Sequence, residues 1–153
     1  MRPENDPLAP LRRSIRVRCS VEHAFEVWTK GISAWWPLRG HSVSGENAEA
    51  VLLEPRAGGR FYERARDGSE HEWGRILVWE PPHRLVYSWH IGSDPARATE
   101  VEIRFTGAAD GATEVAIEHR GWERWAEAAP TARRANETGW DDLLPAYLAA
   151  CGA

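Results

Sequence analysis

The sequence lacks an excess of positive charge, a long apolar run and more than two cysteines. Its 153 residues carry 19 Lys and Arg against 23 Asp and Glu, a net charge of -4. Such a chain has no basic field for a phosphate backbone, which excludes nucleic acid as the expected partner. No apolar stretch approaches the roughly 20 residues that span a bilayer, and residues 1–10 have no signal-peptide core. We therefore expect a cytoplasmic protein without membrane insertion.

Recognisable catalytic and metal signatures are also missing. Cys19 and Cys151 have no metal-ligating neighbour at close spacing, so two reduced thiols are the simplest interpretation and a disulfide between them is the alternative. The sequence contains no nucleophile elbow, no phosphate-binding glycine loop and no local Cys–His pair. We expect no metal and no cofactor, and a binding protein rather than an enzyme.

Tryptophan is the residue that the chain has in abundance. Nine tryptophans stand against three phenylalanines and three tyrosines. An indole combines a large apolar body with one N–H donor, so it suits both core edges and ligand pockets. These rings either fill the core or converge on one site, and composition alone leaves both interpretations open.

Apolar periodicity predicts a first strand, two short helices, six further strands and a long terminal helix. The strand spans 11–18, Ser20 caps the first helix, Gly31 stops it, and a second short helix ends at Pro37. The six strands are predicted at 50–54, 60–66, 70–80, 84–91, 99–106 and 113–120, and the long helix at 131–151. Residues 1–10 are expected to form a flexible tail, and 11–153 a single domain.

This order of elements predicts an α+β fold in which a curved antiparallel sheet wraps around the C-terminal helix. The helix has one apolar stripe, and the inward face of the sheet is the surface that can cover it. Pro145 lies off that stripe, so we expect it to bend the helix and not to end it. Because a curved sheet cannot touch a straight helix along its whole length, we also expect a cavity between them.

Several stretches, taken in order, resemble START-like (SRPBCC) domains, and more narrowly homologues of the activator of heat-shock protein 90 ATPase. They are AFEVW at 24–28, WWP at 35–37, PRAGGRFYE at 55–63, WGRIL at 73–77, PPHRLV at 81–86, HRGW at 119–122 and GW at 139–140. The resemblance implies a helix-grip fold with a hydrophobic cavity, as in lipid carriers, hormone receptors and polyketide cyclases. It implies no shared catalytic set, and the chaperone-activating role belongs to a larger protein with an additional domain.

The leading hypothesis is that the cavity binds a small hydrophobic or aromatic molecule. Aromatic walls with a few polar groups are typical of ligand sites. The residues predicted to bind the ligand are Trp35, Trp36, Phe61, Glu63, Trp73, Tyr87, Trp89, Phe105, His119, Trp122, Asn136 and Trp140. On the third strand of the meander, Gly74, Ile76 and Val78 form an equally plausible inward set.

His119 and Glu63 are the polar candidates for chemistry in this cavity. His119 continues the inward face of Val115 and Ile117, so it either meets the ligand or is a structural histidine bonded to nearby backbone. Glu63 shares a face with Phe61 and needs a partner if it is buried, for which Arg75 and Arg133 are the candidates.

Two further groups of polar residues have competing interpretations. His41 and Ser42 lie in a loop that the family resemblance places over the cavity entrance, where they gate access or are simply solvated. His71 lies between Glu70 and Glu72, but successive side chains on a strand point to opposite faces, which argues against a shared metal ion.

Two alternative functions stay open at this point. One is an enzyme of the polyketide cyclase or dehydratase type, with His119 and Glu63 as acid–base residues. The other is a stress-linked module that binds a protein partner and has a closed cavity. A homodimer through an exposed sheet edge is compatible with all of these functions.

Overall fold

One antiparallel sheet wraps around the C-terminal helix in the computed structural model, which describes residues 6 and 8–152. The helices are α1 (Val21–Trp28), α2 (Ile32–Trp35) and α3 (Ala129–Ala150). The strands are β1 (Leu11–Val17), β2 (Ala48–Leu53), β3 (Arg60–Ala65), β4 (Glu70–Glu80), β5 (Arg84–Trp89), β6 (Thr99–Gly107) and β7 (Thr113–Arg120). Their order across the sheet is β1-β7-β6-β5-β4-β3-β2. The predicted α+β helix-grip architecture is confirmed.

The local signals explain where most elements begin and end. Ser20 caps α1, since its Oγ accepts a hydrogen bond from the backbone N–H of His23 at 3.1 Å. β5 ends at Trp89, two residues before its predicted end, and α3 begins at Ala129, two residues before its predicted start. Three short 3₁₀ helices at 45–47, 95–97 and 122–128 were not predicted.

A bulge in β4 settles which of its residues face inward. The register shifts between Phe61 and Tyr62 on β3, and again between Ile76 and Val78 on β4. Strict alternation is therefore broken, and both Trp73 and Ile76 are buried. Gly74 lies between them, and a Cβ there would fall only 1.7 Å from the carbonyl oxygen of Ser88. The two inward sets that the sequence offered for this strand thus each contribute members to the core.

The apolar stripe of α3 is buried against the sheet and α1, as predicted. Its members are Ala129, Ala132, Trp140, Leu143, Leu144 and Tyr147. The hydroxyl of Tyr147 donates a hydrogen bond to the carbonyl oxygen of Ala24 at 2.8 Å, which fixes the helix to α1. Pro145 is exposed, and the helix continues beyond it.

Aromatic rings fill the middle of the fold. Trp28 lies 4.6 Å from Tyr147 and 5.3 Å from Trp35 between ring centroids. Trp36 then continues the series toward Phe61, at 6.2 Å. Edge-on and tilted contacts of this kind stabilise a core beyond the area that they bury. The centre of the protein is therefore occupied by side chains.

The chain before β1 contacts the folded domain in its described part. Ala9 is 2% exposed, and Nε of Arg133 donates a hydrogen bond to its carbonyl oxygen at 2.7 Å. Residues 1–5 and 7 of the predicted tail lie outside the described residues.

Cys19 and Cys151 are both free thiols. Burial raises the pKa of each thiol, and that of Cys151 rises to about 12. The two thiols also interact with each other, so both the reduced pair and the disulfide stay predictions. Within the described residues, no helix has the length and apolar character needed to cross a membrane.

Candidate functional site

A cleft of about 740 Å³ opens at one end of the sheet, against α3. Its wall comes from the loop 40–43, the turn 89–93, the 3₁₀ helix 122–128 and the 131–143 face of α3. This volume lies within the usual range of small-molecule sites. Aromatic rings fill the centre of the fold, and this cleft lies at one end of the space predicted between sheet and helix.

Five indole side chains line this space, which we call the indole cleft. They come from four different parts of the chain and are Trp36, Trp89, Trp122, Trp125 and Trp140. Asn136 also lines the cleft. The predicted ligand-binding set therefore contributes four of the five indoles and the asparagine. Their contact with a ligand stays a prediction.

Trp125 is the indole that the sequence prediction missed. It lies three residues after Trp122 in a 3₁₀ helix, whose period of three places both rings on the same side. That spacing is the signal that points to it. The guanidinium of Arg97 lies over the Trp125 ring, 5.2 Å from its centroid.

Three of the cleft indoles donate their N–H groups to hydrogen bonds within the protein. Trp36 donates to the carbonyl oxygen of His41 at 2.8 Å. Trp122 donates to the carbonyl oxygen of His119 at 3.1 Å, and Trp140 donates to Nδ1 of the same histidine at 3.0 Å. These bonds fix the ring orientations. Trp122 is fully buried, and Trp36 and Trp140 are each 5% exposed, so these two rings can offer a ligand only carbon edges and π faces.

His119 lies behind the cleft wall and is fully buried. Because Trp140 donates to its Nδ1, the ring proton is on Nε2, which contacts Oγ1 of Thr99 at 2.6 Å. Thr99 in turn donates to the carbonyl oxygen of Trp89 at 3.3 Å. Burial lowers the pKa of His119 to about 3, so the ring is neutral. Both ring nitrogens are therefore engaged within the protein.

Glu63 is also fully buried, but its partners are not the predicted arginines. Its carboxylate accepts hydrogen bonds from the backbone N–H groups of Val43 (2.5 Å) and Ser44 (2.9 Å), and from Nε1 of Trp73 (2.7 Å). Burial alone would raise the pKa of Glu63, but these hydrogen bonds outweigh it and hold the pKa below its ordinary value. Glu63 therefore anchors the loop that carries the rim of the cleft.

Arg75 and Arg133, the predicted partners of Glu63, bind other groups. Nε of Arg75 pairs with Glu72 at 2.6 Å, and Arg133 binds the backbone at Ala9. The prediction of a Glu–Arg pair was wrong, because the orphan N–H groups of a loop satisfy the buried carboxylate instead.

The remaining predicted ligand-binding residues belong to the aromatic core and not to the cleft wall. Trp35 packs against Trp28 and Tyr147. Phe105 contacts Phe25 of α1 at 5.2 Å. The other three, on β3, β4 and β5, form one ring cluster and are Phe61, Trp73 and Tyr87. They shape the site from behind.

The loop 38–47 forms one lip of the cleft and α3 forms the other. His41 and Ser42 both line the cleft, and Nε2 of His41 lies 3.5 Å from the carboxylate of Asp142 on α3. Oγ of Ser42 donates to the carbonyl oxygen of Leu38 at 2.5 Å and accepts from the backbone N–H of Gly45. These contacts place both residues at the entrance, where the family resemblance put them.

His90 is a second cleft-lining residue outside the predicted set. It is 6% exposed, and its Nε2 lies 3.2 Å from the carboxylate of Glu72, which is also paired with Arg75. Its Nδ1 is buried and has no hydrogen-bond partner among the described residues. The sequence gives little signal for this residue beyond its position directly after an aromatic strand.

No group of three potential metal-ligating side chains occurs in the described part of the chain. The two glutamates that flank His71 are ion-paired, Glu70 with Arg60 at 2.9 Å and Glu72 with Arg75.

Replacing Glu63 tests its role as the anchor of the cleft rim. We expect Glu63→Gln to lower the free energy of unfolding by about 2–3 kcal/mol, because an amide cannot accept from all three N–H donors. Glu49→Gln is the matched control, since Glu49 forms an exposed pair with Arg64 at 3.3 Å and should cost less than about 1 kcal/mol. Urea unfolding followed by tryptophan fluorescence measures both.

The effect of Glu63→Gln should also depend on pH. Because the folded-state pKa of Glu63 is lowered, its stabilisation is complete above the ordinary carboxyl pKa and is lost as the pH falls through the lowered value. The difference from wild type should therefore shrink in acid. Equal effects of the two glutamine variants at neutral pH would contradict the anchoring role.

The protonation of His119 can be followed directly by ¹⁵N–¹H NMR. With a pKa lowered to about 3, the ring should stay neutral and protonated on Nε2 from pH 8 to pH 5, with the exposed His23 as an internal reference. The unfolded chain takes up this proton near pH 6.5, so His119 should reduce stability as the pH falls from there toward 3. Protonation of the folded ring between pH 5 and 8 would contradict this geometry.

Comparison with known proteins supports this description of the fold. The anthrahydroquino-γ-pyrone synthase Txn09 is 37% identical over 84% of this chain and 87% of its own, with a TM-score of 0.59. CalC, a self-sacrificing resistance protein from Micromonospora echinospora, is 25% identical over 95% of this chain and 96% of its own, with a TM-score of 0.71. Protein MLL2253 from Mesorhizobium loti, at 19% identity and a TM-score of 0.67, covers 91% of this chain and 93% of its own and supports the fold alone.

The family model for the Activator of Hsp90 ATPase homolog 1-like protein matches residues 18–152. Among curated proteins, none matches the chain significantly. The matched segment includes α1 to α3 and every part of the cleft wall. The chain is thus a member of the activator of Hsp90 ATPase homologue 1-like family, within the START-like (SRPBCC) superfamily.

Proposed function

We propose that this protein binds a small, flat, fused-ring aromatic molecule in the indole cleft. The observation that carries the proposal is the convergence of five indoles from four parts of the chain on one hollow of about 740 Å³. Offset or edge-on contacts with such rings add about 0.5–1.5 kcal/mol each beyond the burial of apolar area. A flat ligand can contact several of these rings at once, which favours it over a branched aliphatic one.

The name of one relative points in the same direction. It is a synthase of an anthrahydroquino-γ-pyrone, a compound with fused aromatic rings. That name describes the relative. For this chain it supports a ligand of similar flatness, since the synthase is 37% identical over 84% of this chain.

An enzyme of the polyketide cyclase or dehydratase type is the second candidate. It is favoured by the name of the synthase relative. His119 and Glu63 suit it poorly as acid–base residues, because both are buried behind the cleft wall with their hydrogen-bonding capacity used inside the protein. Under this proposal such an enzyme would act chiefly by holding its substrate in one conformation.

A partner-binding module with a closed cavity is the weaker alternative, since the cleft is open. Homodimerisation would use an edge of the sheet, where β1 and β2 are the terminal strands. Dimerisation and a cytoplasmic location stay predictions of the sequence.

The proposed function is tested by titrating the protein with anthracene-9-methanol, a neutral three-ring probe. We expect Trp125→Ala to weaken binding by at least about fivefold, because it removes one aromatic wall of the cleft. Trp79→Ala is the matched control, since Trp79 is also partly buried but contacts Phe25, away from the cleft. Isothermal titration calorimetry gives both dissociation constants.

Unfolding curves recorded for both variants separate lost binding from lost structure. Trp79→Ala should leave the dissociation constant within about twofold of wild type. Absence of binding by the wild-type protein, or equal weakening by both substitutions, would count against the indole cleft as the site.

A further inference from the structure

The wall of the indole cleft contains no arginine or lysine among the described residues. Its one carboxylate is that of Asp142, which is 62% exposed at the rim and lies 3.5 Å from His41. Arg97 lies over the Trp125 ring but is not a wall residue. The cleft therefore offers a carboxylate at its rim and no permanently cationic side chain among the described wall residues. Its two histidines each lie beside a carboxylate, His41 at 3.5 Å from Asp142 and His90 at 3.2 Å from Glu72.

Most hydrogen-bond donors of the wall are already in use. The N–H groups of Trp36, Trp122 and Trp140 bind acceptors of this chain, whereas those of Trp89 and Trp125 have no acceptor among the described residues. The polar side chains that also donate to backbone carbonyls are Ser42, Ser93, Thr99, Asn136 and Thr138. A carboxylate or phosphate entering the cleft would lose its water without gaining these donors, which is costly.

An acceptor, in contrast, remains available at the rim. The Asp142 carboxylate is exposed, and it lies 3.5 Å from Nε2 of His41. The indole faces carry the negative part of the ring quadrupole, which attracts cations.

We infer that the indole cleft selects aromatic ligands that carry a positive charge or hydrogen-bond donors and discriminates against anionic ones, with Asp142 as the specificity-determining residue. This rests on the proposed function, because it names the chemical class of the ligand for the same cleft. It separates this protein from carriers of fatty acids or phospholipids, whose anionic head groups would meet no arginine or lysine in the described wall.

The test uses three probes with the same ring system: 9-(aminomethyl)anthracene as the cation, anthracene-9-methanol as the neutral molecule and anthracene-9-carboxylate as the anion. Calorimetric titration at neutral pH and low salt gives the dissociation constant of each probe. The amine should bind at least about tenfold more tightly than the carboxylate, since cation–π contacts and the rim carboxylate both favour it.

Substitution of Asp142 assigns the selectivity to one residue. Asp142→Asn should lower the ratio of amine affinity to neutral-probe affinity by roughly two- to fivefold, the range expected for an exposed charge pair. Asp141→Asn is the matched control, because the neighbouring Asp141 pairs with Arg13 at 3.2 Å and is not a wall residue. It should leave the ratio unchanged.

The outcomes separate this inference from the proposed function. Binding of the neutral probe together with carboxylate binding as tight as amine binding would overturn the inference and leave the proposed function standing. An equal fall in the ratio of amine affinity to neutral-probe affinity in Asp142→Asn and Asp141→Asn would overturn the assignment to Asp142. Failure of all three probes to bind would overturn both proposals.

Discussion

Both nitrogens of the buried His119 ring and its backbone carbonyl oxygen are hydrogen-bonded to elements that meet at the cleft. His119 lies on β7. Its Nδ1 accepts a hydrogen bond from the indole N–H of Trp140 on α3, and its carbonyl oxygen accepts one from Trp122 of the 3₁₀ helix. Its Nε2 contacts the hydroxyl of Thr99 on β6. A neutral ring is required, because a protonated Nδ1 could not accept the indole N–H of Trp140. The burial that keeps the ring neutral therefore preserves the hydrogen bond from Trp140, whereas the bond from Trp122 to the backbone carbonyl oxygen does not depend on the ring.

The character of the wall follows from this internal hydrogen bonding. With three indole N–H groups and several hydroxyls bonded within the protein, the surface that remains is mainly apolar and aromatic, with the Asp142 carboxylate at its rim. Glu63 has the corresponding role at the opposite lip, where its carboxylate holds Val43 and Ser44 of the rim loop. Two buried polar residues therefore shape the site from behind, and under the proposed function the ligand contacts fall to the rings. This arrangement suits binding better than acid–base catalysis by either residue.

Short-range patterns were sufficient to predict the element order, the cap at Ser20 and the stripe on α3, because these depend on neighbours in sequence. Which side chains of β4 face the core was not predictable, since the bulges of this strand arise from its pairing with β3 and β5. The partners of Glu63 were missed because residue types reveal side-chain cations but not the free N–H groups of a distant loop. Rings predicted to line one cavity are divided between core and cleft, a division that depends on how far α3 and the 3₁₀ helix stand from the sheet.

The central claim, that one end of a filled aromatic core is a binding site, is tested most directly through the nine indole N–H signals in a ¹⁵N–¹H NMR titration with anthracene-9-methanol. The account predicts that the largest shifts belong to the cleft indoles, Trp36, Trp89, Trp122, Trp125 and Trp140. Largest shifts at the core indoles Trp28 and Trp35, or no shift at saturating probe, would contradict it.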